Sequence, residues 1–98
     1  MAVEPKEFRT VVLSGPVNLY EVLAVRESLQ AAISEGKHLR VDLSDSGPWD
    51  LAGVQLLISC TKSAERRDRT VRLVNTPRSC VEIAERAGLL DWLASHQS

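Results

Sequence analysis

Three aspartates and two serines crowd one short stretch of this chain: Asp42, Ser44, Asp45, Ser46 and Asp50, within Val41–Leu57, VDLSDSGPWDLAGVQLL. Carboxylates at such spacing are the residue types that hold a divalent cation or exchange a proton, so metal binding is the first chemistry to test. Asp42, however, precedes the apolar Leu43 and fits the polar side of a strand, and no lysine follows at a matching strand end. Asp50 fits a different task. It sits where a helix N-cap belongs, with a carboxylate suited to the free N–H groups and the positive end of a helix. The remaining reactive types are sparse. His38 precedes a strand and His96 lies near the C-terminus, neither with an acidic partner nearby in sequence. Cys60 and Cys80 form no CxxC pair and fall inside helical patterns, where cysteine behaves as a small hydrophobe. No glycine-rich phosphate loop and no GxSxG nucleophile elbow occur. The residues therefore predict no enzyme, no metal and no cofactor.

These side chains need a scaffold, and its pattern is alternating. Phe8–Leu13, FRTVVL, reads as a strand, ended by Ser14-Gly15-Pro16. Asn18 opens a helix, with Glu21 three residues on as in a capping box, and Leu19, Val22, Leu23, Leu29, Ala32 and Ile33 recur at helical spacing. Glu21, Arg26, Glu27 and Gln30 are left for solvent, and Gly36 ends the helix. His38–Leu43 is a second strand, followed by a polar loop over Ser44–Pro48. A second helix runs from about Leu51 to Arg67. Val54, Leu57, Ile58, Thr61 and Ala64 line its core face, Leu56 and Cys60 widen it, and Lys62, Glu65, Arg66 and Arg67 lie outside. The basic run Arg66–Arg69 is a solvated helix end that complements the dipole. Thr70–Val74 is a third strand. Thr76 caps a third helix with Pro77 at its first position, and Val81, Ile83, Ala84 and Ala87 form its apolar face. Gly88 ends it, and Leu89, Leu90, Trp92 and Leu93 make a last turn against the sheet.

The order is β-α-β-α-β-α, an α/β domain with a central, mostly parallel four-stranded sheet and helices packed on it. A short strand near Ala2–Glu7 adds an edge, behind a loose polar start at residues 1–6. With 98 residues, 44% of them hydrophobic, the chain is expected to be one domain over 1–98 with its core at about 8–93. Net charge is −1 with acids and bases interspersed, which supports neither a nucleic-acid surface nor a polybasic membrane patch. No apolar run approaches a membrane span and MAVEPKEF lacks a signal-peptide core, so the expected location is the cytoplasm.

Several motifs in order resemble the STAS family, which comprises bacterial anti-sigma factor antagonists and domains attached to sulfate transporters. Asp42-Leu43-Ser44, then Trp49, then Asp50-Leu51-Ala52-Gly53-Val54 resembles its central pattern. Leu13–Gly15, Ala32–Ser44 and Ala84–Leu93 resemble the flanking segments. The resemblance implies a non-enzymatic regulatory module that docks on a protein partner through the stretch after the second strand. The residues in that position are Asp45, Ser46, Trp49, Asp50, Leu51, Ala52, Gly53 and Gln55. In phosphoswitched members the hydroxyl residue just before the glycine accepts phosphate. Here that position is Ala52, and the preceding one, often Ser or Thr in the STAS subunit of lipid-transport ABC systems, is Leu51. Phosphate switching at this site is therefore excluded. Within this stretch Val54 is read as core, Trp49 as core before contact, and Leu51 as the exposed contact. The partner first implied is a GHKL-type anti-sigma factor kinase, placing the chain in bacterial transcription regulation and signal transduction. The alternatives are an ABC ATPase of a lipid-transport system, a chemotaxis or signalling complex, and a nucleotide or small-ligand sensor. A homodimer is compatible with any of them.

Overall fold

A computed structural model describes residues 8–97. The described residues form three parallel strands in the order β1-β2-β3 and four helices. The strands are β1 (Phe8–Val17), β2 (His38–Trp49) and β3 (Val71–Val74). The helices are α1 (Val22–Ser34), α2 (Leu51–Glu65), α3 (Arg78–Arg86) and α4 (Leu90–His96). This is the expected α/β architecture with three strands in place of four. The anticipated edge strand at Ala2–Glu7 and the loose start at 1–6 lie outside the described residues.

Two strands are longer than local sequence indicates. β1 continues through Ser14-Gly15-Pro16, and β2 continues through Ser44–Pro48, which sequence places in a loop. The two breaker stretches face each other, with Ser14 opposite Asp45, Gly15 opposite Ser46 and Val17 opposite Trp49. Register shifts between Val12 and Ser14 and between Gly15 and Val17 absorb the irregular residues. Each shift is a local bulge, which lets a pair continue past residues that do not fit the ladder. Within the described sheet β1 pairs only with β2, so Pro16's missing N–H is accommodated at an edge.

α1 begins one turn later than expected, at Val22. Asn18 caps its own turn: its Oδ1 accepts the N–H groups of Tyr20 and Glu21 at 3.0 and 3.1 Å. The expected apolar face is also divided. Leu29, Ala32 and Ile33 are buried, with Val22 and Val25 packed at the margin, whereas Leu19 and Leu23 are exposed. Gly36 at φ 79° and Gly88 at φ 73° end their helices as anticipated. In α3 the N-cap is Pro77, not Thr76, and no side chain caps it. Cys80 and Ala84 are its buried residues, while Val81 and Ile83 are half-buried and Ala87 is exposed.

The sheet alternates. Leu39, Val41 and Leu43 of β2 and Val71 and Leu73 of β3 point into the core, while Arg40 and Arg72 occupy the other face. α2 presents Val54, Leu57, Thr61 and Ala64 to that core, the stripe read from its periodicity. Leu93 of α4 closes one side, and Gln97 bridges to Leu73 at the edge of β3.

Candidate docking site at the start of the second helix

Asp50 is the N-cap of α2 as its position predicts, and it does more than cap. Oδ1 accepts the Gly53 N–H at 3.0 Å, and Oδ2 accepts the Leu19 N–H from the turn before α1 at 3.0 Å. One carboxylate thus ties the β1–α1 turn to the tip of α2. The Asp50 backbone N–H donates to the Val17 carbonyl at 3.3 Å, adding a second link between the same segments. Gly53 is buried under this junction, where a side chain would meet Val17 and Trp49.

The expected contact residues separate by exposure. Asp45, Leu51 and Gln55 are exposed, and Ser46, Asp50 and Ala52 are half-buried. Trp49 and Gly53 are buried, so their side-chain positions serve the fold. Trp49 donates from Nε1 to Ser46 Oγ at 2.9 Å, and Ser46 Oγ donates to the Leu43 carbonyl at 2.7 Å. Ser46 is therefore occupied in seating the indole. Val54 is core, as read.

Sequence reasoning missed the apolar residues next door. Tyr20 is 90% exposed, Leu23 70%, Leu19 66% and Leu51 44%. Leu19 is fastened to Asp50, so the turn bearing Leu19 and Tyr20 and the first residue of α2 share one end of the molecule. The signal was present in spacing: Leu19 and Leu23 fall on the helical stripe of Arg26, Glu27 and Gln30, not on that of Val22, Val25 and Leu29.

The other reactive types are used structurally. Asp42 Oδ1 accepts the Ser44 N–H at 3.0 Å and the Asn75 Nδ2–H at 3.2 Å. The Ser44 backbone bond, then the Asn75 side chain, hold its carboxyl below the ordinary value. A depressed carboxyl stabilises the fold above its unfolded-state value and loses that contribution as pH falls through the folded value. Carbon-13 titration of the Asp42 carboxyl should show a midpoint below that of a free aspartate, and Asn75→Ala should move it up. Among the described residues no group of three or more His, Cys, Asp or Glu is placed to hold a metal ion. His38 Nδ1 accepts the Thr70 N–H at 2.9 Å. His96, without an acidic neighbour in sequence, has one in space: Nε2 lies 3.0 Å from Glu65 Oε1. Cys60 and Cys80 are both buried and free. Burial pushes the Cys80 thiol up to about 11 and raises that of Cys60, with Arg26 partly opposing the latter. A thiolate is the reactive form, so Ellman's reagent should label neither in the native protein and both after unfolding.

A parallel sheet leading into an aspartate-capped helix, with the glycine three residues on, sets the STAS-like motif at the tip of α2. The family model described as "Mlab, STAS domain" matches residues 3–94, and the chain belongs to that family. Over 54 residues it is 35% identical to the intermembrane phospholipid transport system binding protein MlaB of Haemophilus influenzae. That match covers 55% of this chain and 51% of the relative, so it spans about half of each. Among solved structures, a sulfate transporter family protein from Wolinella succinogenes superposes with a TM-score of 0.73 at 17% identity, covering 98% of this chain and 80% of that one. The anti-sigma factor antagonist SpoIIAA in its unphosphorylated form gives 0.69 at 19% identity, covering 93% and 81%. These likenesses show the fold. Among the described residues no helix is long and apolar enough to cross a membrane.

Proposed function

We propose that this chain is a non-enzymatic, cytoplasmic STAS subunit of an intermembrane phospholipid transport system, docked on the system's ABC ATPase through the tip of α2 and the turn before α1. The observation that carries this reading is the exposed apolar group Leu19, Tyr20 and Leu51 at the Asp50 cap, with Leu23 exposed in the first turn of α1. Exposed large apolar side chains gathered at one end favour a protein contact. Asp45, Ala52 and Gln55 complete its rim.

The choice between partners rests on two points. The family model is described as "Mlab, STAS domain", and the curated relative MlaB is a phospholipid transport system binding protein. An anti-sigma factor antagonist switched by its kinase needs a hydroxyl before the glycine, and Ala52 has none. Leu51 likewise replaces the hydroxyl often found one position earlier, so contact here is apolar and permanent.

The test is affinity for the purified ATPase subunit from the same source. The wild type should bind it, and Leu51→Glu should weaken binding at least about tenfold, since an unpaired charge is buried in the contact. Because Leu51 is exposed in the free chain, the variant's unfolding free energy should stay within about 0.5 kcal/mol of wild type. Binding to a GHKL-type kinase and not to the ATPase would replace the reading with the anti-sigma one. Thermal stabilisation by millimolar nucleotide with no protein partner bound would favour a ligand sensor.

A further inference from the structure

A cavity of about 180 Å³ opens between the first turn of α2 and the last turn of α3, lined by Leu51, Ile83, Arg86 and Ala87. Three of these residues are apolar. The fourth, Arg86, is exposed and is the one charged residue of the lining. The ion pairs among the described residues are Arg9–Glu35, Arg78–Glu82 and Glu65–His96. Arg86 is in none of them, and the glutamate one turn before it, Glu82, is already paired with Arg78.

The geometry points to this groove as a second anchor point of the docking surface, taking one apolar side chain of the partner with a carboxylate beside it. The inference rests on the docking reading above and specifies which partner segment fits. Charge complementarity selects the occupant. An apolar groove would accept any hydrophobic side chain, but the free guanidinium favours one flanked by Asp, Glu or a chain-terminal carboxylate, which arginine holds in a two-pronged pair. The groove, about 180 Å³ and lined by four residues, is matched to a single side chain of the partner. Leu51 lines both the groove and the exposed group around Asp50, so the two contacts are continuous. Ala87 matters by being small: exposed at the end of α3, it leaves the groove open.

Two measurements decide it. In the first, the nitrogen-15-labelled full chain is titrated with N-acetyl-leucine, which presents an isobutyl group beside a carboxylate, and with N-acetyl-leucinamide, which lacks the charge. Millimolar N-acetyl-leucine should shift the amide signals of Leu51, Ile83, Arg86 and Ala87. The amide, or Arg86→Gln with the acid, should bind about fivefold more weakly. Shifts spread over the surface, or equal binding of acid and amide, would overturn the inference. The second measures affinity for the ATPase subunit. Ala87→Trp, which fills the groove from an exposed position, should lower affinity about tenfold with the unfolding midpoint unchanged. Wild-type affinity in Ala87→Trp would overturn the groove while leaving docking at the α2 tip intact. If the ATPase does not bind the wild type, the docking reading fails and the small-molecule titration alone decides the groove.

Discussion

Replacing Gly53 with alanine should destabilise the protein by about 2–3 kcal/mol, even though alanine is the better helix former. Helix propensity alone predicts the reverse, a gain of about 1 kcal/mol for Gly→Ala inside α2. Packing decides the sign. A Cβ at Gly53 would run into the Val17 carbonyl oxygen and would also lie 2.9 Å from Val17 Cγ1 and 3.0 Å from Trp49 Cε3. The first obstacle is backbone, and it is not free to retreat. The Val17 carbonyl accepts the Asp50 N–H, and Val17 pairs with Trp49 in the sheet. Moving β1 away to admit the methyl group would break the link that seats the tip of α2. Urea unfolding should therefore show a lower midpoint at an unchanged slope. A midpoint equal to or above wild type would mean that the end of β1 yields at little cost, and the close approach would lose its standing as the reason glycine is needed.

That close approach also explains which features the sequence disclosed. Features that depend on a residue and its near neighbours were legible. Asp50 as a cap, Gly36 and Gly88 as helix ends and the buried stripe of α2 all follow from local rules. Features that depend on two distant segments meeting were not. Ser14-Gly15-Pro16 and Ser44–Pro48 each read as a strand terminator when taken alone. Paired across β1 and β2 with bulges between them, both become strand. Thr76 and Pro77 failed by one position, because the cap is set by where the chain leaves β3 and not by which residue caps best. His96 gained a carboxylate neighbour, Glu65, from 31 positions away.

Within the candidate site the division is similar. The motif located the α2 tip, but hydrophobic periodicity does not distinguish a face turned to the core from one turned to a partner. Leu19 and Leu23 were grouped with the core of α1 for that reason. Their stripe, shared with Arg26, Glu27 and Gln30, was the discriminating pattern. Trp49 shows the converse: an aromatic beside a docking motif, read as core before contact, is spent on packing, with its N–H satisfied by Ser46.

Asp50 is where fold and docking meet, and two substitutions should separate them. Asp50→Ala removes the acceptor for Gly53 N–H and the acceptor for Leu19 N–H together. Loss of the cap costs about 1 kcal/mol, and loss of the second bond costs about as much again, less what water returns to the exposed Leu19 N–H. The sum, roughly 2 kcal/mol, lowers the melting temperature of a chain this size by roughly 8–16 °C. Asp50→Asn divides the effect. Asparagine is as good an N-cap as aspartate, so its oxygen can keep the Gly53 N–H. Its amide nitrogen then faces Leu19 N–H, donor against donor, and the tie to the β1–α1 turn is lost. The asparagine variant should keep most of its stability, within about 1 kcal/mol of wild type, while releasing Leu19 and Tyr20 from their place beside Leu51. If the exposed apolar group works as one surface, affinity for the ATPase subunit should fall about tenfold in Asp50→Asn although the protein remains folded. Wild-type affinity in that variant would show that the turn needs no such tether, and that α2 alone carries the contact.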